Sequence, residues 1–134
     1  MKRHARLLFG AGLLLVCLGT SILYLVMTDP IGIRRLDRAQ RQLESELRPG
    51  ISIEEARRVL GESGIKYREL AAKETRDEVI DGQPFSQRVG DRVLDGRRFA
   101  GGVPCTDVLG LAVSFSPDGK LRSRFVHRYY RDCM

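Results

Sequence analysis

The chain has 134 residues, 23 of them basic and 17 acidic, for a formal net charge of +6. Lys2, Arg3 and Arg6 precede a long uncharged stretch, so the remainder is only mildly basic. Its basic residues interleave with acids and no stacking aromatics accompany them, which argues against nucleic acid as a partner. With two histidines, three cysteines and no Cys/His run at zinc spacing, neither a metal site nor a cofactor is expected.

Leu7–Met27 carries no charge and, as a helix, spans about 30 Å, the hydrocarbon thickness of a bilayer. Three readings compete. An uncleaved single-pass anchor leads, because the run is long and lacks an A-x-A site. A cleavable signal ending after Ser21 would leave an apolar ILYLVM terminus. A lipoprotein signal would use Cys17, but Val16 stands where a small residue is usual. The close basic flank of Lys2, Arg3 and Arg6 favours a cytoplasmic N-terminus, with the following domain outside the cytoplasm. Secretion or an outer-membrane lipoprotein is the alternative. The expected organisation is an anchor with its exit turn over residues 1–32 and one small domain over residues 33–134.

Pro30 and Gly32 are expected to break the helix at the membrane exit. Arg34 to Leu47 then reads as an amphipathic helix with Leu36, Leu43 and Leu47 on one face. Its Arg34, Arg35, Arg38 and Arg41 are either solvated or a contact for anionic lipid headgroups. Pro49-Gly50 ends it. Ser52 and Glu55 form a capping box for a short helix that buries Ile53, Ala56 and Leu60, with Gly61 in a left-handed stop.

Ile65–Leu70 suggests a strand. The next thirty or so residues are dense in turn signals: Asp81-Gly82, Pro84, Gly90, Asp95-Gly96 and Gly101-Gly102. They read either as short strands near Glu78–Ile80 and Arg92–Leu94 or as a mobile loop. Val108–Phe115 alternates, with Leu109, Leu111, Val113 and Phe115 on one face. Ser116-Pro117-Asp118-Gly119 is a turn, and Leu121–Tyr130 returns as a strand.

If Ser116 faces Lys120 across this hairpin, Phe115 faces Leu121, Leu111 faces Phe125 and Cys105 faces Arg131. A bulge or splay at the open end then brings Cys105 and Cys133 within reach of a disulfide, the bond expected of an extracytoplasmic domain. In the same register His127 faces Leu109, away from Cys105, so a thiol–imidazole pair is not expected. Arg122, Arg124 and Arg128 share the other face of the last strand, either solvated or as a docking surface for an acidic partner. No P-loop, G-x-G-x-x-G or G-x-S-x-G occurs, and no carboxylates are paired for shared chemistry. The chain is therefore expected not to be an enzyme.

Gly50-Ile51-Ser52, the helix running to Leu60-Gly61, and the phrase from Phe115 through Asp118-Gly119 to Leu121 resemble the SmpA/OmlA-like (beta-lactamase-inhibitor-like) module. The resemblance covers about half of the region beyond the apolar run. It implies a small α+β domain of the bacterial envelope, helices on an antiparallel sheet, with a non-catalytic role such as protein binding or a scaffold in envelope assembly. It supplies no catalytic residues. The expected fold class is thus α+β: a transmembrane helix, then one or two helices on a small antiparallel sheet ending in a C-terminal hairpin. The competing functions are an envelope enzyme or thiol-dependent factor using Cys105 or Cys133, and an anionic-lipid-binding domain.

Overall fold

The computed structural model describes residues 2–102 and 104–133, with side chains from Gly10 onward. Lys2, Arg3, Arg6 and the first residues of the apolar run therefore lie outside the described side chains. The first helix, α1 (Lys2–Thr28), is long and apolar enough to cross a membrane. Its side chains from Gly10 to Val26 are all exposed, so no part of that stretch is folded into the domain. Three of its hydroxyls are satisfied locally: Thr20 Oγ1 donates to the Val16 carbonyl (3.0 Å), Ser21 Oγ to Cys17 (2.8 Å) and Thr28 Oγ1 to Tyr24 (2.8 Å).

The break comes one residue earlier than the Pro/Gly signal suggests. Asp29 alone is non-helical, left-handed at φ 41°, ψ 58°, and the second helix, α2 (Pro30–Glu46), starts immediately. Pro30 is its first residue, where a missing N–H costs nothing. Gly32 is helical rather than a breaker. The Asp29 carboxylate accepts its N–H at 2.9 Å, and a Cβ there would lie 1.9 Å from Asp29 Oδ2. The other Asp29 oxygen accepts the Gly101 N–H at 3.3 Å, tying the exit of α1 to the sheet.

A third helix, α3 (Ile53–Glu62), is capped by Ser52, whose hydroxyl accepts the Glu55 N–H at 3.2 Å. Ser52 also bridges to Lys120 beyond the last turn. The helix runs through Gly61, and the left-handed residue is Gly64 (φ +65°). A side chain at Gly64 would also meet the Arg98 guanidinium at 2.9 Å, so both backbone and space fix the stop there.

Six strands follow: β1 (Lys66–Ala71), β2 (Arg76–Ile80), β3 (Gln83–Gln87), β4 (Arg92–Gly101), β5 (Thr106–Phe115) and β6 (Leu121–Arg131). Four make an antiparallel sheet in the order β1-β4-β5-β6, and β2 with β3 forms a separate hairpin around Asp81-Gly82. The stretch read as short strands or a loop is thus ordered. Asp95-Gly96 is no turn but the middle of β4. A Cβ at Gly96 would lie 2.8 Å from Ile65 Cγ2 and 3.1 Å from Leu111 Cδ2, so the glycine serves close packing.

In the β5–β6 hairpin Phe115 faces Leu121 as expected. A bulge between Ser114 and Phe115 then shifts the ladder by one, so Leu111 faces Val126, His127 faces Gly110 and Arg131 faces Thr106. The irregularity lies at the turn, not at the open end. Central β5 is buried along nearly its whole length. One face, through Leu109, Leu111, Val113 and Phe115, packs with Leu94 and Val126 against Leu36, Leu43 and Leu60 of the helices. Burying each of these large side chains stabilises the domain by about 1.5–3 kcal/mol.

The two sheet edges are treated differently. Beside β6, the Gln83 carboxamide donates to the Val126 carbonyl (2.8 Å) and accepts its N–H (3.4 Å), while the Ser86 N–H reaches Ser123 Oγ (3.0 Å). One amide side chain thus stands in for a neighbouring strand, and the β2–β3 hairpin covers that edge from Ser123 to Val126. Among the described residues the edge at β1 has no such cover, and all six of its residues are exposed.

Candidate binding surfaces

The three arginines of β6 do not form one outward row. Arg124 and Arg128 lie opposite Val113 and Leu109, on the helix side of the sheet. Arg124 Nη1 donates to the carbonyls of Leu43 (2.9 Å) and Glu44 (2.6 Å), capping the C-terminal turn of α2. Arg128 Nε bonds both oxygens of buried Asp107 (2.7 and 2.8 Å), and its guanidinium also reaches Asp37 of α2. The Asp107 carboxylate, with Asp37, holds Arg128 further toward its charged form, outweighing its burial.

Arg122 falls at the bulge and binds Asp91, which is fully buried (Nε to Oδ2, 2.8 Å). Asp91 also accepts the Arg88 N–H (2.9 Å) and the Ser114 hydroxyl (3.0 Å). Burial alone would raise the Asp91 pKa; the hydrogen bonds from Arg122, Arg88 and Ser114 reverse this and hold it below the usual carboxylate range. The bulge breaks the even spacing on which a common outward face rested, and the three charges bind the helices and a loop to the sheet.

Cys105 and Cys133 are joined by a disulfide, with Cα atoms 4.2 Å apart. Both lie just beyond the ladder that ends at Thr106–Arg131, and Asp132 is left-handed (φ 54°), which turns the chain back toward Cys105. His127 is far from this chemistry in its contacts. Its ring is stacked between Phe125 (centroids 4.5 Å) and Tyr129 (4.9 Å), over Gly110, where a Cβ would meet His127 Cε1 at 2.8 Å. Burial lowers its pKa and Arg97 adds to this, against the pull of Asp81. Among the described residues no cluster of His, Cys, Asp and Glu is arranged to hold a metal ion.

Arg34, Arg35, Arg38 and Arg41 are all exposed on α2, and none has a carboxylate within 4.0 Å among the described residues. These sequence candidates stay unpaired with acids at the surface among the described residues, whereas those of β6 are engaged.

Sequence reasoning missed the β1 edge. The Ala72 N–H donates to the Asp91 carbonyl (2.8 Å), continuing the β1–β4 ladder. Antiparallel pairing alternates, so Lys66, Arg68 and Leu70 face β4, while Tyr67, Glu69 and Ala71 direct their N–H and C=O groups outward. A groove of about 800 Å³ opens beside the start of this edge, lined by Lys66, Tyr67, Arg68, Arg97, Arg98 and Phe99, with Asp95 as its carboxylate. Arg68 pairs with Asp95 (2.9 Å) and Arg98 with the Ser63 carbonyl, which leaves Lys66 and Arg97 without an acidic partner among the described residues. Phe99 is 53% exposed beside them. The signal in the sequence was only the alternation of Lys66-Tyr67-Arg68; edge status depends on topology.

Comparisons of the chain with family models, with curated proteins and with solved structures gave no match.

Proposed function

We propose that this protein is a non-catalytic, membrane-tethered binding domain of the bacterial envelope, and that its open β1 edge takes up an extended, acidic segment of a partner protein. The carrying observation is that edge. Three alternate residues, Tyr67, Glu69 and Ala71, offer outward backbone donors and acceptors beside a groove with two cations unneutralised among the described residues, whereas the opposite edge is covered from Ser123 to Val126. Strand addition uses such backbone groups for affinity and flanking side chains for selection.

The exposed apolar α1 supports the tether. The basic residues Lys2, Arg3 and Arg6 support a cytoplasmic N-terminus with a periplasmic domain, and the Cys105–Cys133 bond supports an oxidising compartment. The likeness to SmpA/OmlA-like modules in the Gly50–Gly61 and Phe115–Leu121 stretches agrees with a scaffold or assembly role. The Cys105–Cys133 bond holds both thiols, which weighs against a factor that works through a permanently free thiol.

The test is selection of random displayed peptides on the full-length protein in nanodiscs. Selected sequences are expected to be extended and acidic. Ala71→Pro removes an outward N–H without touching the bonds to β4, and is expected to weaken binding about tenfold through the lost bond and the bulk of the ring. Arg97→Glu is expected to abolish the acidic preference. Peptides that bind both variants as well as the wild type would refute the edge as the docking site.

A further inference from the structure

Among the described residues, the four arginines of α2 are left over by the domain's internal pairing. We infer that the outer face of α2 lies against anionic lipid headgroups of the bilayer that α1 enters. This rests on insertion of α1, and not on partner binding at β1.

The face is contiguous. At 100° per residue, Ile31, Arg34, Arg35, Arg38 and Arg41 fall within an arc of about 120°, opposite buried Leu36, Ala39 and Leu43. Every acid at or on the helix is engaged elsewhere. Asp29 accepts the Gly32 and Gly101 N–H groups, Asp37 binds Arg128, Glu44 accepts from Gln40 (2.9 Å) and Glu46 lies 3.8 Å from Arg58. The four cations thus face outward together, and Ile31, 66% exposed in the first turn, adds an apolar residue to the same arc.

Continuity with α1 selects the occupant. Only Asp29 separates the two helices, and its left-handed backbone prevents α2 from continuing the axis of α1. A helix turned aside at the membrane exit, apolar in its first turn and cationic along one face, meets an anionic surface over its whole length. Were α2 to stand upright instead, its last turn would be about 22 Å from the exit, beyond the reach of headgroups.

That difference provides the test. The chain contains no Trp, so Ser45→Trp places a single indole near the far end of the same arc. Full-length protein is reconstituted in vesicles of phosphatidylcholine alone or mixed with phosphatidylglycerol, each with brominated acyl chains as quenchers. The indole is expected to be quenched in the anionic vesicles, less so as salt is raised, and little in the zwitterionic ones. Arg41→Gln should reduce the lipid-apposed population roughly fivefold, and Gln at all four arginines should remove the dependence on lipid charge. Circular dichroism should be unchanged. An indole that is unquenched in anionic vesicles, or quenched equally in the fourfold variant, overturns the inference and leaves the β1 proposal standing.

Discussion

Asp91 has no exposed surface, and three donors converge on its carboxylate, the strongest of them from Arg122. Removing the guanidinium leaves a buried charge without its counterion, which is more costly than never having built the pair. Arg122→Ala is therefore expected to destabilise the domain by about 3 kcal/mol, read as a lower urea midpoint at unchanged slope. The pH dependence follows from the depressed Asp91 pKa. The unfolded state holds the proton more tightly, so the stabilisation is full above the unfolded carboxylate pKa of about 4 and is lost as pH falls through the lower folded value. In Arg122→Ala the folded Asp91 pKa rises toward or past the unfolded value, so this acid-side loss should shrink or reverse. An unchanged midpoint would show that the pair contributes nothing net. Neither Asp91 nor Arg122 was legible as a pair, because the bulge that aims Arg122 has no marker in its sequence, Leu121-Arg122-Ser123.

The elements best marked in the sequence are those with local chemistry of their own. Pro117-Asp118-Gly119 specifies the β5–β6 turn, Ser52 caps α3, and the Leu36–Leu43–Leu47 spacing gives α2 its buried face. The alternating strand became buried on both sides because β5 is central, which no property of β5 itself announces. β4 was masked by Asp95-Gly96, a turn signal whose glycine is required by Ile65 and Leu111 instead. Gly96→Ala tests that cause. The added methyl faces Ile65 Cγ2 at 2.8 Å and the Lys66 carbonyl oxygen at 3.1 Å, and the backbone atom cannot rotate away. An overpacking loss of about 1–3 kcal/mol is expected, measured by denaturant unfolding. An unchanged or higher stability would mean that the glycine is not held by packing. As for the candidate surfaces, the cations of α2 could be read directly from their spacing. The β1 edge could not, since it exists only because β4 pairs β1 on one side and β5 on the other.

At the scale of the whole molecule, the end of α1, the end of β4 and the disulfide gather at one end. Asp29 binds the Gly101 N–H, a Cβ at Gly101 would lie 3.8 Å from the Thr28 carbonyl and 3.4 Å from that of Cys105, and Cys105 is bonded to Cys133. The bond joins cysteines with a sequence separation of 28, across the β5–β6 hairpin. Loop entropy alone gives such a crosslink about 3–4 kcal/mol, and the hairpin ladder, which already brings the ends together in the folded state, leaves that effect on the unfolded chain intact. Paired Cys105→Ser and Cys133→Ser substitutions are therefore expected to lower the unfolding free energy by up to that amount, with Cys17 unaffected because it lies exposed on α1. Since the bond sits at the base, the loosening should concentrate there. Hydrogen exchange should quicken first at Thr106 and Arg131 and at the Gly101 N–H held by Asp29, while Val113 and Leu94 in the core keep their protection. Uniformly faster exchange across the sheet would instead mean that the bond supports the whole fold and gives no special anchorage to the end where α1 meets the sheet.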